Sequence, residues 1–462
     1  MTMTAPRLET EPFAPAGAEA EALECISDLV ARARAAGADA ADAVMFRGAS
    51  LSATQRLGER EDLERSESDD IGLRVMIGKR QAIVASTDAS PRAFDQLVER
   101  AISMARHALE DPDCGLAHDA SLAPELPNLD LFDPGEPSAN ALFETAAVAE
   151  DAARAVPGVT NSEGASASWG RGTAALVTSA GFAGSYTTSR FGVSASVLAG
   201  VGTAMQTDYD FSSARHQADL EGAAVVGRNA GERTVRRLDA RKVATAQVPV
   251  VYEWRVAGGL LHHLAAAIGG GAIARGTSFL KDRRGKPVFA PGTTIVDDPR
   301  RARGLASRPC DGEGVRTHTL AVVEDGVLQS WLLDTRTANQ LGLRSTGHAS
   351  RGTGAPPSPS PSNLYLQPGP MDPEALIADI KSGLFVTGLI GFGINPVTGD
   401  YSRGVSGFWI ENGEITHPVH EMTIAGNLMD MFRALTPAND LAFRYGVDAP
   451  TVRIDGMTVA GA

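Results

Sequence analysis

Cysteine is nearly absent from this chain: Cys25, Cys114 and Cys310 are the three in 462 residues. They are too few and too scattered for a disulfide scaffold or a four-thiolate zinc site. Positive charge is also short, with 42 Lys and Arg against 56 Asp and Glu and a net charge of −14. A general binder of nucleic acid or of an anionic membrane needs the opposite field. No apolar run approaches the ~18 to 20 residues that cross a bilayer. Residues 1–18 lack the apolar core of a signal peptide and read as a flexible lead-in. The expectation is a cytoplasmic chain with no nucleic-acid or membrane partner.

Common catalytic motifs are missing too. Gly78-Lys79 runs into Arg80 and Gly285-Lys286 into Pro287, where a phosphate-cradling loop needs Ser or Thr to hold magnesium. Gly200-Val-Gly202 and Gly391-Phe-Gly393 lack the third glycine of a dinucleotide fingerprint, and no Gly-x-Ser-x-Gly elbow occurs.

What is present is an ordinary globular composition, 43% hydrophobic and 21% charged, long enough for two or three packed units. Leu23, Ile26, Leu29 and Val30 recur at helical spacing. Ile71, Leu73, Val75 and Ile77 alternate as a strand that turns at Gly78-Lys79 and returns over 82–86. Ser90-Pro91 and Ser138 are helix starts, and 110–137, rich in Pro, Asp and Glu, reads as a surface excursion. Further helices are expected over 220–238, over 256–268, and from Asp372-Pro373 to Gly383. Asp325-Gly326 and Asn412-Gly413 each separate two strand-like runs, the strongest short-range sign of a hairpin. Residues 350–362 are Gly/Pro/Ser-rich and read as a disordered loop, with an ordered lid as the alternative.

Helices and strands mix without regular alternation, so the class is α+β. The expected architecture is an N-terminal α/β domain over 19–240 with a mostly antiparallel sheet. A mainly β, barrel-like domain with a few helices follows over 241–462.

Two groups of residues could carry function. His262 and His263 are adjacent on the helix expected over 256–268, where neighbours point ~100° apart and cannot share one ion as i, i+4 residues do. His420-Glu421 begins like a zinc-protease motif, but Ile424 and Ala425 stand where a second histidine would sit. The glycine-dense stretch 388–407 surrounds Asn395, Asp400, Tyr401, Ser402 and Arg403. It is either a place of close backbone approach to a ligand or a tight turn with Asp400 and Arg403 paired.

Five blocks of the second half, LLHHLAAAIGGGA (260–272), SFLKDRRGKPVFAPGTTIVDDP (278–299), GLASRPCDGEGV (304–315), NPVTGDYSRGVSGFWIENGEI (395–415) and PVHEMTIAGNLMDM (418–431), resemble the TldD/PmbA family, most closely its PmbA/TldE branch. So do IGLRVMIGKRQAIVASTD (71–88) and VTSAGFAGSYTTSRFGVSASVLAG (177–200). The resemblance implies one chain of a two-chain zinc peptidase acting on unfolded or flexible peptides, such as leader peptides and disordered proteins. In it a TldD-type subunit carries a His-Glu-x-x-x-His helix and a late cysteine ligand, while the TldE-type chain helps enclose the cavity.

The residues here match the second role. Neither His262 nor His263 is followed by Glu, and 443–453 has no cysteine, whereas a catalytic zinc needs three protein ligands and a nearby carboxylate. The expectation is therefore no catalytic and no metal-binding residue in this chain, with zinc in the partner. Candidate cavity or interface residues are Trp254, His262, His263, Asn395, Asp400, Tyr401, Ser402 and Arg403. Trp254, His348 and His420 depart from the family pattern, which implies a small or turn residue, an asparagine and a serine there. An older family label, modulator of DNA gyrase, gains no physical support from the net charge. The alternatives are a homodimeric peptide-binding scaffold without proteolysis, and an independent hydrolase using His262 or His263 with an ion.

Overall fold

The computed structural model describes residues 17–461; most of the expected lead-in lies outside them, and Ala18 already begins a helix. The first half comprises α1 (Ala18–Ala35), β1 (Ala40–Arg56), β2 (Glu59–Ile77), β3 (Arg80–Ser86), α2 (Pro91–His107), α3 (Ala139–Arg154), β4 (Val159–Thr178), β5 (Ala183–Ala199), β6 (Gln206–Ala214) and α4 (Ala223–Arg236). Its six strands form one antiparallel sheet in the order β3-β2-β1-β4-β5-β6.

Local chemistry explains the helix starts. Ser90 accepts from Ala93 N at 3.3 Å with Pro91 at the first helical position, and Ser138 accepts from Ala141 N. Phe94, Leu97, Val98, Ala101 and Ile102 of α2 join Ile26 and Leu29 of α1 over Ala43, Met45, Ile71 and Leu73. Each such large side chain contributes ~1.5–3 kcal/mol by leaving water.

The alternation expected for Ile71 to Ile77 holds only for one face. Gly72, Arg74 and Met76 are buried as well, because the second half covers the other face: Val44, Leu176 and Phe182 pack against Cys310. Residues 110–137 are irregular apart from one short helical turn.

The second half contains β7 (Ala246–Tyr252), α5 (Trp254–Ile268), α6 (Gly270–Ala274), β8 (Ile295–Asp297), β9 (Leu320–Glu324), β10 (Val327–Leu328), α7 (Thr335–Gln340), β11 (Ala349–Ser350), β12 (Ser358–Pro359), β13 (Leu364–Leu366), α8 (Pro373–Ile377), β14 (Ser382–Ile394), β15 (Asp400–Glu411), β16 (Glu414–Asn427), α9 (Leu428–Arg433), β17 (Leu435–Pro437), β18 (Val447–Asp448) and β19 (Val452–Ala460). Strands β16-β15-β14-β7-β19 follow one another, and Thr423–Ala425 pairing with Thr458–Ala460 closes them into a five-stranded barrel. A small sheet, β10-β9-β8-β13-β18, lies beside it. The fold is α+β with an antiparallel N-terminal sheet and a C-terminal barrel. No helix among the described residues is long and apolar enough to cross a membrane.

Both hairpins form where expected, with Asp325 (φ 47°), Gly326 (76°), Asn412 (51°) and Gly413 (83°) all left-handed, as the turns that match strand twist require. Two expectations need correction. The helix from Asp372 stops at Ile377 instead of Gly383, because Gly413 N and Asn412 N take the Ile380 and Lys381 carbonyls and draw the chain into β14. Residues 350–362 are not a disordered loop. β11 pairs with β12, Arg308 donates to Ser360 O at 2.9 Å, and Arg351 is buried. The Thr353 backbone crosses so close to Gly72 that a Cβ there would lie 2.5 Å from its oxygen.

Candidate functional site

Helix α5 begins after the buried strand β7 and runs beside β18, close enough that a Cβ on Gly258 would lie 2.9 Å from Val447 O. One side of α5 faces a cleft of about 480 Å³ lined by Trp254, Arg255, His262, Ser360, Pro361 and Tyr445, with Gly446 and Val447. Trp254 is a half-buried part of that lining. Its ring is 6.4 Å from that of Tyr445, with the Arg444 and Arg233 guanidiniums 4.5 and 5.9 Å from its centre. Such cation–π contacts hold an aromatic surface in place while leaving it available to an apolar group.

The charges around the cleft are paired. Arg255 reaches Asp208 at 2.9 Å and Glu253 at 2.6 Å, and Arg444 meets Glu221 at 3.2 Å. Burial pushes the Tyr445 hydroxyl up to about 12. The wall at 360–362 is fixed from behind. Ser362 donates through both N and Oγ to buried Asp297, and His348 Nε2 lies 3.3 Å from the same carboxylate. Burial raises the Asp297 pKa, but the His348 and Ser362 contacts outweigh it and leave that carboxyl below its ordinary range. His348 is thus a support of the cleft wall, whereas His420 is half-exposed beside Glu421.

The expected site residues separate into three places. Trp254 and His262 line the cleft. His263 turns to the other side of α5, edge-on to Tyr401 with 5.9 Å between ring centres. Burial, reinforced by Arg403 and His262, pushes its imidazole down to about 4, so it is neutral at neutral pH. Burial also lowers the His262 pKa.

Asn395 and Asp400 build the turn between β14 and β15. Asn395 Oδ1 accepts from Val397 N at 3.0 Å, and Asp400 accepts from Thr398 Oγ1 at 2.6 Å and Asn427 Nδ2 at 3.2 Å. The Asp400–Arg403 pair, one of the two alternatives for this stretch, does not form: Arg403 Nε donates to Ile390 O at 3.3 Å instead. Alternation explains this, since Asp400 and Arg403 fall on opposite faces of β15. Ser402 is exposed.

Arg255, Tyr445 and Arg444 were not anticipated. Arg255 follows Trp254 on α5 itself, whereas Arg444 and Tyr445 come from a segment distant in sequence, where Phe443, Arg444 and Tyr445 bring aromatic and basic side chains together.

A catalytic zinc requires three converging ligands. His262 and His263 diverge across α5, and among the described residues no three His, Cys, Asp or Glu side chains come together to hold an ion. The residues on α5 do not fit that metal.

Comparison with known proteins bears on the whole chain. Residues 41–105 match the PmbA/TldA metallopeptidase domain 1, residues 132–238 its central domain and residues 245–461 its C-terminal domain. Metalloprotease PmbA of Escherichia coli O157:H7 is 38% identical over 425 residues, covering 92% of each chain. A metalloprotease PmbA homolog of Haemophilus influenzae is 37% identical over 446 residues, covering 96% of this chain and 97% of its own. The crystal structure of TldE from Thermococcus kodakarensis superposes with a TM-score of 0.84 over 95% of this chain and 100% of that one, at 20% identity, a likeness of fold.

Proposed function

The chain belongs to the PmbA/TldD metallopeptidase family, and from that premise we propose that it is a non-catalytic TldE-type subunit whose hydrolytic zinc is held by a TldD-type partner. The observation carrying this reading is the divergence of His262 and His263 on α5, one into the cleft and one toward Tyr401. A zinc-bound water for peptide hydrolysis needs three ligands and a carboxylate to accept its proton, and α5 supplies neither a third ligand nor the carboxylate.

The substrates would be unfolded or flexible peptides. The barrel is closed and offers no free edge around its five staves. β18, an edge strand of the small sheet, lies at the cleft, where Val447 and its neighbours form part of the lining. That edge is itself covered, since Val447 and Asp448 are buried and α5 packs against the Val447 carbonyl, so an extended peptide would be received by the cleft surface beside it. Trp254 and Tyr445 would receive apolar side chains.

Purification of the tagged chain from its native cell tests the reading. The expected outcome is a complex with a second chain bearing His-Glu-x-x-x-His, about one zinc per pair, and peptidase activity in the pair alone. Peptide hydrolysis by this chain by itself with stoichiometric zinc would overturn it. A homodimer that binds peptides without cutting them would point to the scaffold alternative.

A further inference from the structure

Away from the cleft, a cavity of about 140 Å³ lies where the N-terminal sheet meets the second half. Val44, Phe46, Ala174, Leu176 and Tyr186 line one side, and Arg308, Cys310, Asp311 and Arg351 the other. Its arginines are unusual. The Arg351 side chain is 1% exposed and its Nη2 contacts Asp42, yet its Nε and Nη1 have no hydrogen-bond partner among the described residues. Arg308 gives Nη1 and Nη2 to the Ala349 and Ser360 carbonyls and leaves a buried Nε without a partner among the described residues. A buried guanidinium donor without an acceptor costs more than a neutral one.

The protein's own carboxylates do not answer these donors. Asp42 already serves Arg74 as well as Arg351. Both oxygens of Asp311 accept backbone N–H groups, from Glu313, Val315 and Ala349. Burial also raises the pKa of Asp311 and Glu313, which lessens the negative charge opposing the arginines.

We propose that this cavity binds a small monovalent carboxylate, its oxygens taking the open N–H donors of Arg351 and Arg308 and its short apolar tail lying against Val44, Phe46 and Leu176. Paired acceptor oxygens suit the planar fork of a guanidinium. A doubly charged oxyanion would be opposed by nearby Asp42, and a halide would leave the apolar wall unused. The volume suits a free acid of a few heavy atoms and not the end of a peptide. Because Arg308 also holds Ser360, occupancy would stiffen the segment that walls the cleft. This inference does not depend on the peptidase reading.

Calorimetric titration of the full chain with sodium acetate in chloride-free buffer tests it. The expected result is one saturable site per chain, weakened at least about tenfold in Arg308→Met, the equivalent of one charge-assisted hydrogen bond. Ala174→Leu, which fills the cavity and leaves both arginines in place, should abolish binding. It also keeps the test decisive if an arginine variant fails to fold. Acetate heats unchanged in Ala174→Leu, or absent in the parent chain, would overturn the site. Chloride binding as tightly as acetate would overturn the carboxylate assignment.

Discussion

Glu313 is 3% exposed, accepts from Thr335 N at 2.7 Å and lies 3.9 Å from Arg74. Burial pushes its carboxyl up from an ordinary 4.5 to about 7; Arg74 opposes that rise and Asp311 adds to it. The native state therefore holds this proton across a window in which the unfolded chain releases it. The group favours the fold most below pH 4.5, and its contribution falls as pH rises through 7. Glu313→Gln keeps an acceptor for Thr335 and removes the ionisation. That variant should lose the decline and exceed the parent above pH 7 by at most about 3 kcal/mol. Urea midpoints at pH 5 and pH 8 check it; a parent and variant that move in parallel would refute the assignment. His263 has the opposite sign. Its imidazole is held down at about 4, so stability is lost as pH falls from 6.5 toward 4, by an amount that its partial exposure to solvent reduces.

At the level of elements, the Asn412-Gly413 turn does more than join β15 to β16, because its N–H groups take the carbonyls that end the approach from α8. A Cβ on Gly413 would meet Ala378 O at 2.5 Å in a left-handed backbone. Gly413→Ala should therefore lose about 1–3 kcal/mol from conformation alone, and more from the clash, measured as a lower denaturant midpoint. Turns and caps of this kind were legible in the sequence, since their chemistry lies within a few residues: Ser90, Ser138, Asp325-Gly326 and Asn412-Gly413 all act where expected. What was not legible depends on distant partners. The far part of β2, Glu59 to Glu67, is charged and exposed and carries no apolar alternation; it is a strand because it pairs with β1. In the cleft, Trp254 and His262 could be singled out by position, but Tyr445 and Ser360 arrive by tertiary folding. Asn395 and Asp400 stood out for their glycine-rich surroundings and prove to be turn builders.

Across the whole molecule, the two halves are joined by a buried charge cluster rather than by apolar packing alone. Asp42 is 0% exposed and serves Arg74, with Nε at 3.0 Å, and Arg351 from the opposite half. Asp42→Asn would leave both guanidiniums without their shared counter-ion. Breaking such a pair costs about 3–5 kcal/mol, and the expected readout is a lower midpoint together with looser association of the halves in limited proteolysis. Unchanged stability would show that Arg351 is balanced from elsewhere. The barrel has a consequence for synthesis. β19 sits between β7 and β16 and hydrogen-bonds to both, and it follows every other stave in the chain. Until residues 452–460 leave the ribosome, β7 and β16 each present a bare row of amide groups to solvent. The nascent protein then meets its greatest hazard of mispairing with neighbours, and chaperone cover at that stage would matter more than at any later one.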